Sequence, residues 1–349
     1  MATLIINELF DDSGHEDPGH PERPERVTAA LDGVRDLHLG DDLVIVPARA
    51  ATRVELVRAH DGSYLDELGA FCYGGGGDID PDTYATYDSW LIAKHAAGAG
   101  LAVIEELQRR KHGVGFVAAR PPGHHALKDR AMGFCLLNNV AVAAATLVGQ
   151  GQRVLIVDWD VHHGNGTQAI FWDNPDVLYV STHQWPLFPG SGTASEVGGW
   201  HAIGQTVNIP LPPGATGDVV RQGIEQIAAP VIEEFAPTWV LVSAGFDAHR
   251  ADPMANLDLT SGDFAQLAKT VAGFAPKPGR LALFLEGGYD LEALRASVRS
   301  ALSAVLEGSA QDERPSSGGP GAEQMQKAFD ERTAALSMMH DASEGEVEP

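Results

Sequence analysis

Cysteine is scarce in this sequence, with only Cys72 and Cys135 among 349 residues. Two cysteines cannot build a disulfide framework or a cysteine-rich zinc site, so any bound metal must be held by histidine and carboxylate side chains. Long apolar runs are also missing, because LALFL at residues 281–285 falls far short of the roughly 20 residues that a membrane helix needs. The N-terminal MATLIINELFDDSG has neither the basic start nor the apolar stretch of a signal peptide. We therefore expect a soluble, cytoplasmic protein.

Positive charge is in short supply. The chain has 24 Lys and Arg residues against 48 Asp and Glu residues, which gives a formal net charge of -24. This balance opposes binding to a phosphate backbone, so direct nucleic-acid binding is not expected. The acidic surface would attract cationic partners such as lysine-rich tails or polyamines, or it serves only to keep the protein in solution.

What is present is a regular alternation of secondary-structure signals. Apolar residues make up 44% of the chain, enough for one large core. From about residue 98, short β-branched runs alternate with amphipathic stretches, which predicts an α/β protein whose parallel sheet is covered by helices. The predicted strands are residues 114–118, 154–157, 177–180, 239–243 and 281–285. The predicted helices are residues 138–148, 217–235, 261–274 and 291–306, with another beginning at Pro24.

Two further segments have no such alternation. The glycine run at residues 74–77 and the following DIDPDTY indicate an exposed loop, either at the rim of a site or as a simple connector. After residue 308 the composition shifts to Ser, Gly, Pro and acidic residues. We expect residues 309–349 to form a polar, flexible tail with one short helix near residues 323–336, and residues 1–308 to form the folded domain.

Polar motifs follow the predicted strands at the point where each strand ends. In chain order they are ARPPGHH, DWDVHHGNG, STH, AGFDAH and EGGYD. Ligands of an open parallel sheet bind beyond the carboxyl ends of its strands. We therefore expect these motifs to converge on one crevice.

A metal site is predicted in DWDVHH. Asp160 and His162 are separated by one residue at the end of a buried strand, so both can face one ion. A third ligand is expected from AGFDAH, where Asp247 is the first choice and His249 and Asp252 compete with it. Two carboxylates and one imidazole leave open positions, as in a catalytic zinc site. The alternative is that these residues cap helices or bond to loop backbone.

Proton-transfer groups are expected beside the metal. The rigid turn PPG would hold His124 and His125 at fixed angles, and histidine titrates nearest to neutral pH. Tyr289 can donate a hydrogen bond to a developing oxyanion, since Gly287 and Gly288 allow close approach. Either motif alone also fits an ordinary structural turn.

Five segments of the chain resemble those of the zinc-dependent histone deacetylases and the bacterial histone deacetylase-like amidohydrolases: ARPPGHH, GFCLLNN, DWDVHHGNGTQ, SAGFDAH and EGGYD. Their order and spacing are similar over most of residues 1–307, and PPGHH, DWD and HHGNG look more like class II than class I. The resemblance implies the arginase/deacetylase fold, a three-layer αβα arrangement with a central, mostly parallel, doubly wound sheet. It makes residues 1–308 the deacetylase catalytic domain.

The resemblance implies the chemistry of the site. Zinc is held by Asp160, His162 and Asp247 and activates a water molecule, which attacks the acetyl carbonyl that Tyr289 polarises. Some class II members carry histidine at the position of Tyr289 and act weakly on acetyl-lysine. The tyrosine therefore predicts a competent enzyme.

The same resemblance gives the two histidines different roles. His125 is the general base that later protonates the leaving amine, whereas His124, oriented by Asp158, helps to stabilise charge. Asn165 stands where class I members have an aspartate behind the second histidine. An amide cannot stabilise an imidazolium as a carboxylate does, so we expect His125 to be the less basic of the pair and neutral at rest.

Further positions follow from the resemblance. A structural potassium ion would use the side chains of Asp158 and Ser181 with backbone oxygens of Asp160, His162 and Thr182. The channel for the acyl-lysine side chain would be lined by Phe134, Phe188, Gly133, Met254 and Gly288.

The substrate stays open between acetyl-lysine in proteins or peptides and a small amide such as an acetylpolyamine. Met254 stands where polyamine-specialised members from animals have a gatekeeper glutamate, and no site-narrowing insertion is visible around residues 66–73. Both features favour acyl-lysine. An arginase-like ureohydrolase is disfavoured because DWDVHH has too few carboxylates to bridge two manganese ions. A non-catalytic acyl-lysine binding module is disfavoured because it needs no proton relay. No feature predicts the oligomeric state.

Overall fold

The computed structural model of the chain describes residues 3–345, with side chains described up to residue 339. The strands are β1 Leu4–Asn7, β2 Leu43–Val46, β3 Gly77–Asp80, β4 Thr83–Ala85, β5 Val114–Val117, β6 Val154–Asp158, β7 Val177–Gln184, β8 Thr206–Leu211, β9 Trp239–Ala244 and β10 Leu281–Leu285. Eight of them form one sheet in the order β2-β1-β5-β10-β9-β6-β7-β8, and every pairing in it is parallel. The remaining two, β3 and β4, form an antiparallel hairpin.

The helices between the strands are α1 Glu25–Arg35, α2 Arg53–Leu56, α3 Gly62–Tyr73, α4 Ser89–Arg110, α5 Asn139–Val148, α6 Asn165–Phe171, α7 Gly217–Gly223, α8 Ala229–Phe235, α9 Ser261–Ala272, α10 Leu291–Val305 and α11 Ala322–Gly345. A 3-10 turn lies at Gly40–Asp42, and a π-helical turn at Ile224–Ala228 joins α7 to α8. None of the helices within residues 3–345 combines the length and the hydropathy that crossing a bilayer would require.

Side chains of the central strands alternate between the two faces of the sheet. In β6, Leu155 and Val157 belong to one apolar core, whereas Val154 and Ile156 belong to the other. The first core is completed by side chains of α1, α9 and α10, and the second by those of α3, α4 and α5. This confirms the predicted three-layer αβα fold with a doubly wound sheet, which is parallel throughout its eight strands.

The five predicted strands correspond to β5, β10, β9, β6 and β7, which are consecutive neighbours in the middle of the sheet. β7 continues to Gln184, beyond the predicted end at residue 180, so STH belongs to the strand itself. The helix predicted at residues 217–235 is present with its π-helical turn. The interpretation of the segment after the glycine run as a loop was wrong, because residues 77–85 form the β3–β4 hairpin.

The segment after residue 308 lies against the domain. The guanidinium of Arg332 donates to the carbonyl oxygens of Thr206, on β8, and of Gly204. On the same helix, Met325 and Ala328 are buried in the first apolar core. The domain boundary at residue 308 stays a prediction, but the described part of the segment is anchored on the edge strand and does not extend away as a flexible tail, because α11 has an apolar face.

Candidate metal centre and active site

The predicted metal ligands lie together beyond the carboxyl ends of two neighbouring strands. Asp160 and His162 follow β6, and Asp247 follows β9. All three side chains are buried, and their ligand atoms lie within 4.8 Å of one another. Nδ1 of His162 is 3.2 Å from Oδ1 of Asp160 and 3.1 Å from Oδ2 of Asp247. Among the described residues this is the one cluster of such groups with the spacing of a metal site.

The two other candidates for the third ligand, His249 and Asp252, bond to groups outside the cluster. Nε2 of His249 lies 2.8 Å from Oε2 of Glu313. Asp252 accepts hydrogen bonds from backbone N–H groups just before α10. Asp247 is therefore the member of AGFDAH that joins the cluster.

The electrostatics of the cluster favour a cation. Burial, and then the nearby charge of Asp160, raise the pKa of Asp247 to about 7, because a buried carboxylate beside a second one is costly to ionise. Backbone N–H groups hold both carboxylates: Oδ2 of Asp160 accepts from Gly287 N–H at 2.8 Å and its Oδ1 from His162 N–H at 2.9 Å, and Oδ1 of Asp247 accepts from Val161 N–H at 3.0 Å. One oxygen of each carboxylate and one imidazole nitrogen are a donor set that fits a divalent ion such as zinc with open coordination positions.

Two glycines allow the ligands to pack this closely. A Cβ atom added at Gly245 would collide with Oδ2 of Asp160, and one added at Gly287 would collide with Oδ2 of Asp247. Both approaches are closer than real Cβ atoms come to other groups. The backbone at Gly245 and Gly287 therefore packs directly against the ligand oxygens.

His124 and His125 lie side by side, with ring centroids 4.0 Å apart, in different electrostatic surroundings. Nδ1 of His124 is 3.1 Å from Oδ2 of Asp158. Burial lowers the pKa of His124, but the carboxylates of Asp160 and Asp158 outweigh it and raise that pKa to about 10. Nδ1 of His125 lies 2.7 Å from the amide oxygen of Asn165, and burial together with the charge of His124 holds the pKa of His125 well below its usual value. The pair therefore joins one cationic and one neutral imidazole.

The turn that carries these histidines is tied to the residue after β10. Glu286 is buried, and one of its oxygens accepts from Gly123 N–H at 2.7 Å and from His124 N–H at 3.1 Å. The hydroxyl of Ser243 donates to the other oxygen over 3.1 Å. Sequence reasoning did not single out Glu286, although its position at a strand end, in EGGYD, was a signal that could have done so.

Tyr289 packs on a buried arginine. The guanidinium carbon of Arg26 lies 4.6 Å from the centroid of the Tyr289 ring, and its Nε donates to the carbonyl oxygen of Gly288 at 2.6 Å. Burial raises the pKa of the Tyr289 phenol well above its usual value, so the hydroxyl keeps its proton and can donate a hydrogen bond. Sequence reasoning missed Arg26, which lies in α1, far from Tyr289 along the chain.

A cavity of about 180 Å³ opens onto these groups. It is lined by Asp82, Pro122, His124, His125, Gly133, Phe134, His162, Leu187, Phe188, Met254, Gly287 and Tyr289. The ring of Phe188 stands at 82° to that of His125, with centroids 5.1 Å apart. Gly288 was expected in the channel, but Gly287 takes that place in the wall, since the carbonyl of Gly288 is bonded to Arg26. Asp82 was not singled out, although DIDPDTY was proposed as a rim.

The residues expected to hold potassium lie behind the metal cluster. Asp158 and Ser181 are partners in the parallel register of β6 and β7, and both are fully buried. Oγ of Ser181 lies 2.9 Å from Nδ1 of His183, and the hydroxyl of Tyr179 donates to Oδ2 of Asp158 over 3.0 Å. The structure therefore places the two side chains on adjacent strands.

Comparison with known proteins gives concordant matches. Residues 20–305 match the family model described as "Histone deacetylase domain". The chain is 36% identical over 309 residues to the histone deacetylase-like amidohydrolase of Pseudomonas aeruginosa, covering 83% of this chain and 81% of that one. It is 37% identical over 319 residues to "Histone deacetylase 10, chloroplastic" of Oryza sativa subsp. japonica, covering 84% and 71%.

The similarity extends to three dimensions. A crystal structure of the HDA15 HD domain matches with a TM-score of 0.86 at 32% sequence identity, covering 99% of both chains. The matched family region includes every strand-end motif of the sheet from ARPPGHH to EGGYD. The chain therefore belongs to the histone deacetylase family and is a hydrolase of the deacetylase type.

Proposed function

We propose that this protein is a zinc-dependent deacetylase that hydrolyses the acetyl amide of N-ε-acetyl-lysine in proteins or peptides, releasing acetate and the lysine amine. The observation that carries this proposal is the cluster of Asp160, His162 and Asp247 beside a narrow cavity that also contains Tyr289 and the paired histidines. A module that only binds acyl-lysine would need the cavity but not the proton-transfer groups.

Zinc would be held by Asp160, His162 and Asp247. Bound there, it would polarise the acyl carbonyl and lower the pKa of a water molecule. The backbone N–H groups of Val161 and Gly287 donate to carboxylate oxygens of Asp247 and Asp160. These bonds orient the ligands before any ion arrives.

His125 is the proton acceptor in this proposal. Its Nδ1–H donates to Asn165, so Nε2 is the atom that takes the proton from the attacking water. Its low pKa keeps it neutral at rest, and the acquired proton then passes to the leaving amine. His124, cationic beside Asp158, keeps a positive charge next to the reacting carbonyl.

Tyr289 is the proposed hydrogen-bond donor to the carbonyl oxygen as negative charge develops on it. The phenol stays protonated because burial raises its pKa. Its hydrogen bond strengthens as the oxygen gains charge, so it lowers the energy of the transition state more than that of the bound substrate.

The lining of the cavity favours a long, uncharged acyl-lysine side chain as the substrate group. Phe134 and Phe188 supply aromatic rings on its lining, and the net charge of -24 would attract lysine-rich segments. A second candidate is a small cationic amide such as an acetylpolyamine. Asp82 favours it, because its carboxylate lies in the cavity lining where a second amine could pair with it.

The test of the chemistry begins with metal analysis of the purified protein. We expect about one zinc per chain, hydrolysis of a fluorogenic acetyl-lysine amide and inhibition by a hydroxamate. An Asp247→Asn variant is expected to lose metal and activity together. A metal-free, inactive preparation that stays inactive after zinc addition would rule out the proposed chemistry.

The substrate class needs a competition panel of acetyl-lysine peptides, acetylated polyamines and longer acyl amides. Highest kcat/KM on peptides supports the first candidate, and highest kcat/KM on acetylpolyamines supports the second. An Asp82→Asn variant separates them further, because it is expected to lower turnover of the polyamine and to spare a neutral acetyl amide.

Two further proposals concern the surroundings of the enzyme. Asp158 and Ser181 are proposed to help hold a structural potassium ion, so replacing KCl by choline chloride is expected to lower the thermal midpoint of the wild-type protein more than that of Ser181→Ala.

The cytoplasm is the proposed compartment, which fluorescence microscopy of the tagged full chain would test. A rice relative is named chloroplastic.

A further inference from the structure

Asp252 is a buried carboxylate with an unusual set of partners. It lies on the loop after β9 that also carries Asp247, and it is 6% exposed. Its Oδ2 accepts from the backbone N–H of Tyr289 at 2.6 Å and from that of Asp290 at 3.1 Å. Its Oδ1 accepts from the backbone N–H of Met254 at 3.0 Å. Asp252 therefore joins the loop of one metal ligand to the backbone of Tyr289.

All three partners of Asp252 are donors, which is what an ionised carboxylate requires. Within residues 3–339 no arginine, lysine or histidine nitrogen lies within ion-pair distance of Asp252. Burial of an unpaired charge is unfavourable unless N–H groups replace its hydration. The three backbone bonds provide that replacement, so they are the interaction that keeps Asp252 where it is.

The segment before Tyr289 is held at Gly287, whose N–H donates to Asp160, and at Gly288, whose carbonyl oxygen accepts from Arg26, whereas Asp252 holds the amide of Tyr289 itself. Tyr289 follows Gly287 and Gly288, and Gly288 has a φ of +123°, a conformation that side chains other than glycine rarely adopt. Two glycines permit many backbone directions, so the orientation of Tyr289 depends on bonds to other segments, of which the bond from its own amide to Asp252 is the nearest to the side chain. Asp252 bonds to the amide of Tyr289 itself and to that of Met254, and both residues line the cavity.

We propose that Asp252 is a positioning residue that holds the Tyr289 phenol at the place where it donates to the reacting carbonyl. The idea rests on the proposed role of Tyr289 in catalysis. It assigns to Asp252 a function that differs from metal binding, although Asp252 lies in the same motif as Asp247.

The substitution that tests it is Asp252→Asn, which preserves size and shape. An amide has one acceptor oxygen and one NH2 donor, whereas the site presents donors on every side. At least one backbone N–H must then face the NH2 group, so the three bonds cannot all form and the link between the Met254 loop and the Tyr289 segment is weakened. We expect kcat to fall by roughly 10- to 100-fold with KM nearly unchanged, as for the misplacement of a group that acts in the transition state.

A double-mutant cycle distinguishes positioning from general destabilisation. Tyr289→Phe, Asp252→Asn and the double variant are measured with the same acetyl-lysine substrate. If Asp252 acts through the Tyr289 hydroxyl, the double variant should have the kcat of Tyr289→Phe to within about twofold. If Asp252→Asn lowers kcat by the same factor in the Tyr289→Phe background, the positioning role is wrong.

Three readouts complete the experiment. Zinc content must equal that of the wild type, because loss of metal in Asp252→Asn would mean that the residue supports Asp247 and would overturn the proposal. Asp258→Asn, which removes an exposed carboxylate from the same loop, is the matched control and should retain wild-type kcat. If Tyr289→Phe alone retains full kcat, the catalytic role of Tyr289 fails. That result is distinct from additive losses, which would refute only the role of Asp252.

Discussion

The Nδ1–H of His125 donates to the amide oxygen of Asn165 over 2.7 Å, and the amide nitrogen of Asn165 lies 3.3 Å from the sulfur of Met132. The amide therefore has a defined orientation, with its oxygen towards the imidazole and its NH2 group towards the thioether. This arrangement places the proton of the neutral ring on Nδ1 and leaves Nε2 as its basic atom.

Replacing Asn165 by Asp is expected to raise the pKa of His125. A carboxylate next to Nδ1–H stabilises the imidazolium, so His125 would hold its proton to higher pH and be less available as a base. The acid limb of the kcat/KM profile should move up by about one to two pH units. The measurement is the pH dependence of kcat/KM on a substrate that does not titrate in this range.

The control for this experiment is Asn174→Asp, which adds the same charge outside the cavity. Its acid limb should coincide with that of the wild type. An unchanged limb in Asn165→Asp would mean that His125 is not the group whose protonation limits the rate.

Removal of zinc is expected to destabilise the wild-type protein. It should not destabilise Asp247→Asn, because this variant lacks one of the proposed zinc ligands and also one of the two opposing carboxylates. Zinc at 100 times its Kd contributes about 2.7 kcal/mol to the free energy of unfolding. In the metal-free protein, the carboxylates of Asp160 and Asp247 oppose each other's charge. Asp247→Asn removes one of them and keeps the oxygen that accepts from Val161 N–H.

Scanning calorimetry with and without a chelator checks this. The thermal midpoint of the wild type should rise by several degrees on zinc addition, whereas that of Asp247→Asn should not respond. The metal-free variant should unfold at the same temperature as the metal-free wild type or higher. A lower midpoint in the metal-free variant would contradict the proposed repulsion.

The central part of the sheet was predictable because its strands are buried on both faces and contain continuous β-branched and apolar residues, as in β6 and β9. The edge strands β2 and β8, and β1 next to β2, were not predictable by that signal. β8, TVNIPL, contains Pro210, which argues against a central strand but is tolerated at an edge. β1 and β2 have only four residues each, and short runs of this kind do not stand out from loops.

Acid is expected to weaken the fold through His60. Nδ1 of His60 lies 2.8 Å from the carbonyl oxygen of Leu127, and Nε2 accepts from the N–H of Asn138 at 2.9 Å, so only the neutral ring satisfies both partners. Burial lowers the pKa of His60 to about 4. The unfolded chain, with a pKa of about 6.5, binds the proton first, so stability is fully present above about pH 6.5 and falls towards pH 4, by on the order of 3 kcal/mol in all.

Urea unfolding at a series of pH values tests this linkage. His60→Gln should be less stable at neutral pH but should show a shallower loss of stability between about pH 6.5 and 4.5. His112→Gln, a change at an exposed histidine, is the control and should follow the wild-type curve. Equal slopes for all three proteins would mean that His60 is not the titrating group.

Arg332 is expected to contribute to stability although it lies beyond residue 308. Its guanidinium donates to the carbonyl oxygens of Thr206 and Gly204. Arg332→Met keeps an apolar stem but leaves these oxygens unsatisfied, which should lower the free energy of unfolding by about 2 to 3 kcal/mol. Lys327→Met, a change at a side chain 75% exposed on the same helix, should have little effect.

Denaturant unfolding measures the difference, and kcat at a temperature well below unfolding should stay at the wild-type value in both variants. Equal stabilities of Arg332→Met and Lys327→Met would mean that α11 is not anchored through Arg332.

The limits of sequence reasoning at the site have one physical origin. The residues that face the reaction follow strands and carry recognisable chemistry, so His125, Asp160 and Tyr289 could be named in advance. Asp252 and Glu286 act on backbone N–H groups of other segments, and no pattern of side chains records which amide will lie opposite a carboxylate. Only the folded arrangement brings Asp252 to the amide of Tyr289 and Glu286 to the turn of His124.

The contact of Gly245 and Gly287 with the ligand oxygens has a consequence for reading natural variation and mutant libraries. A methyl group at either position would occupy space that Asp160 or Asp247 already fills. An alanine there would thus resemble the loss of a ligand in every assay, although all the coordinating atoms remain in the chain. For this enzyme, a glycine-to-alanine substitution at these positions is as damaging as the loss of a metal ligand. A screen for inactive variants should therefore recover substitutions of these glycines together with substitutions of the aspartates.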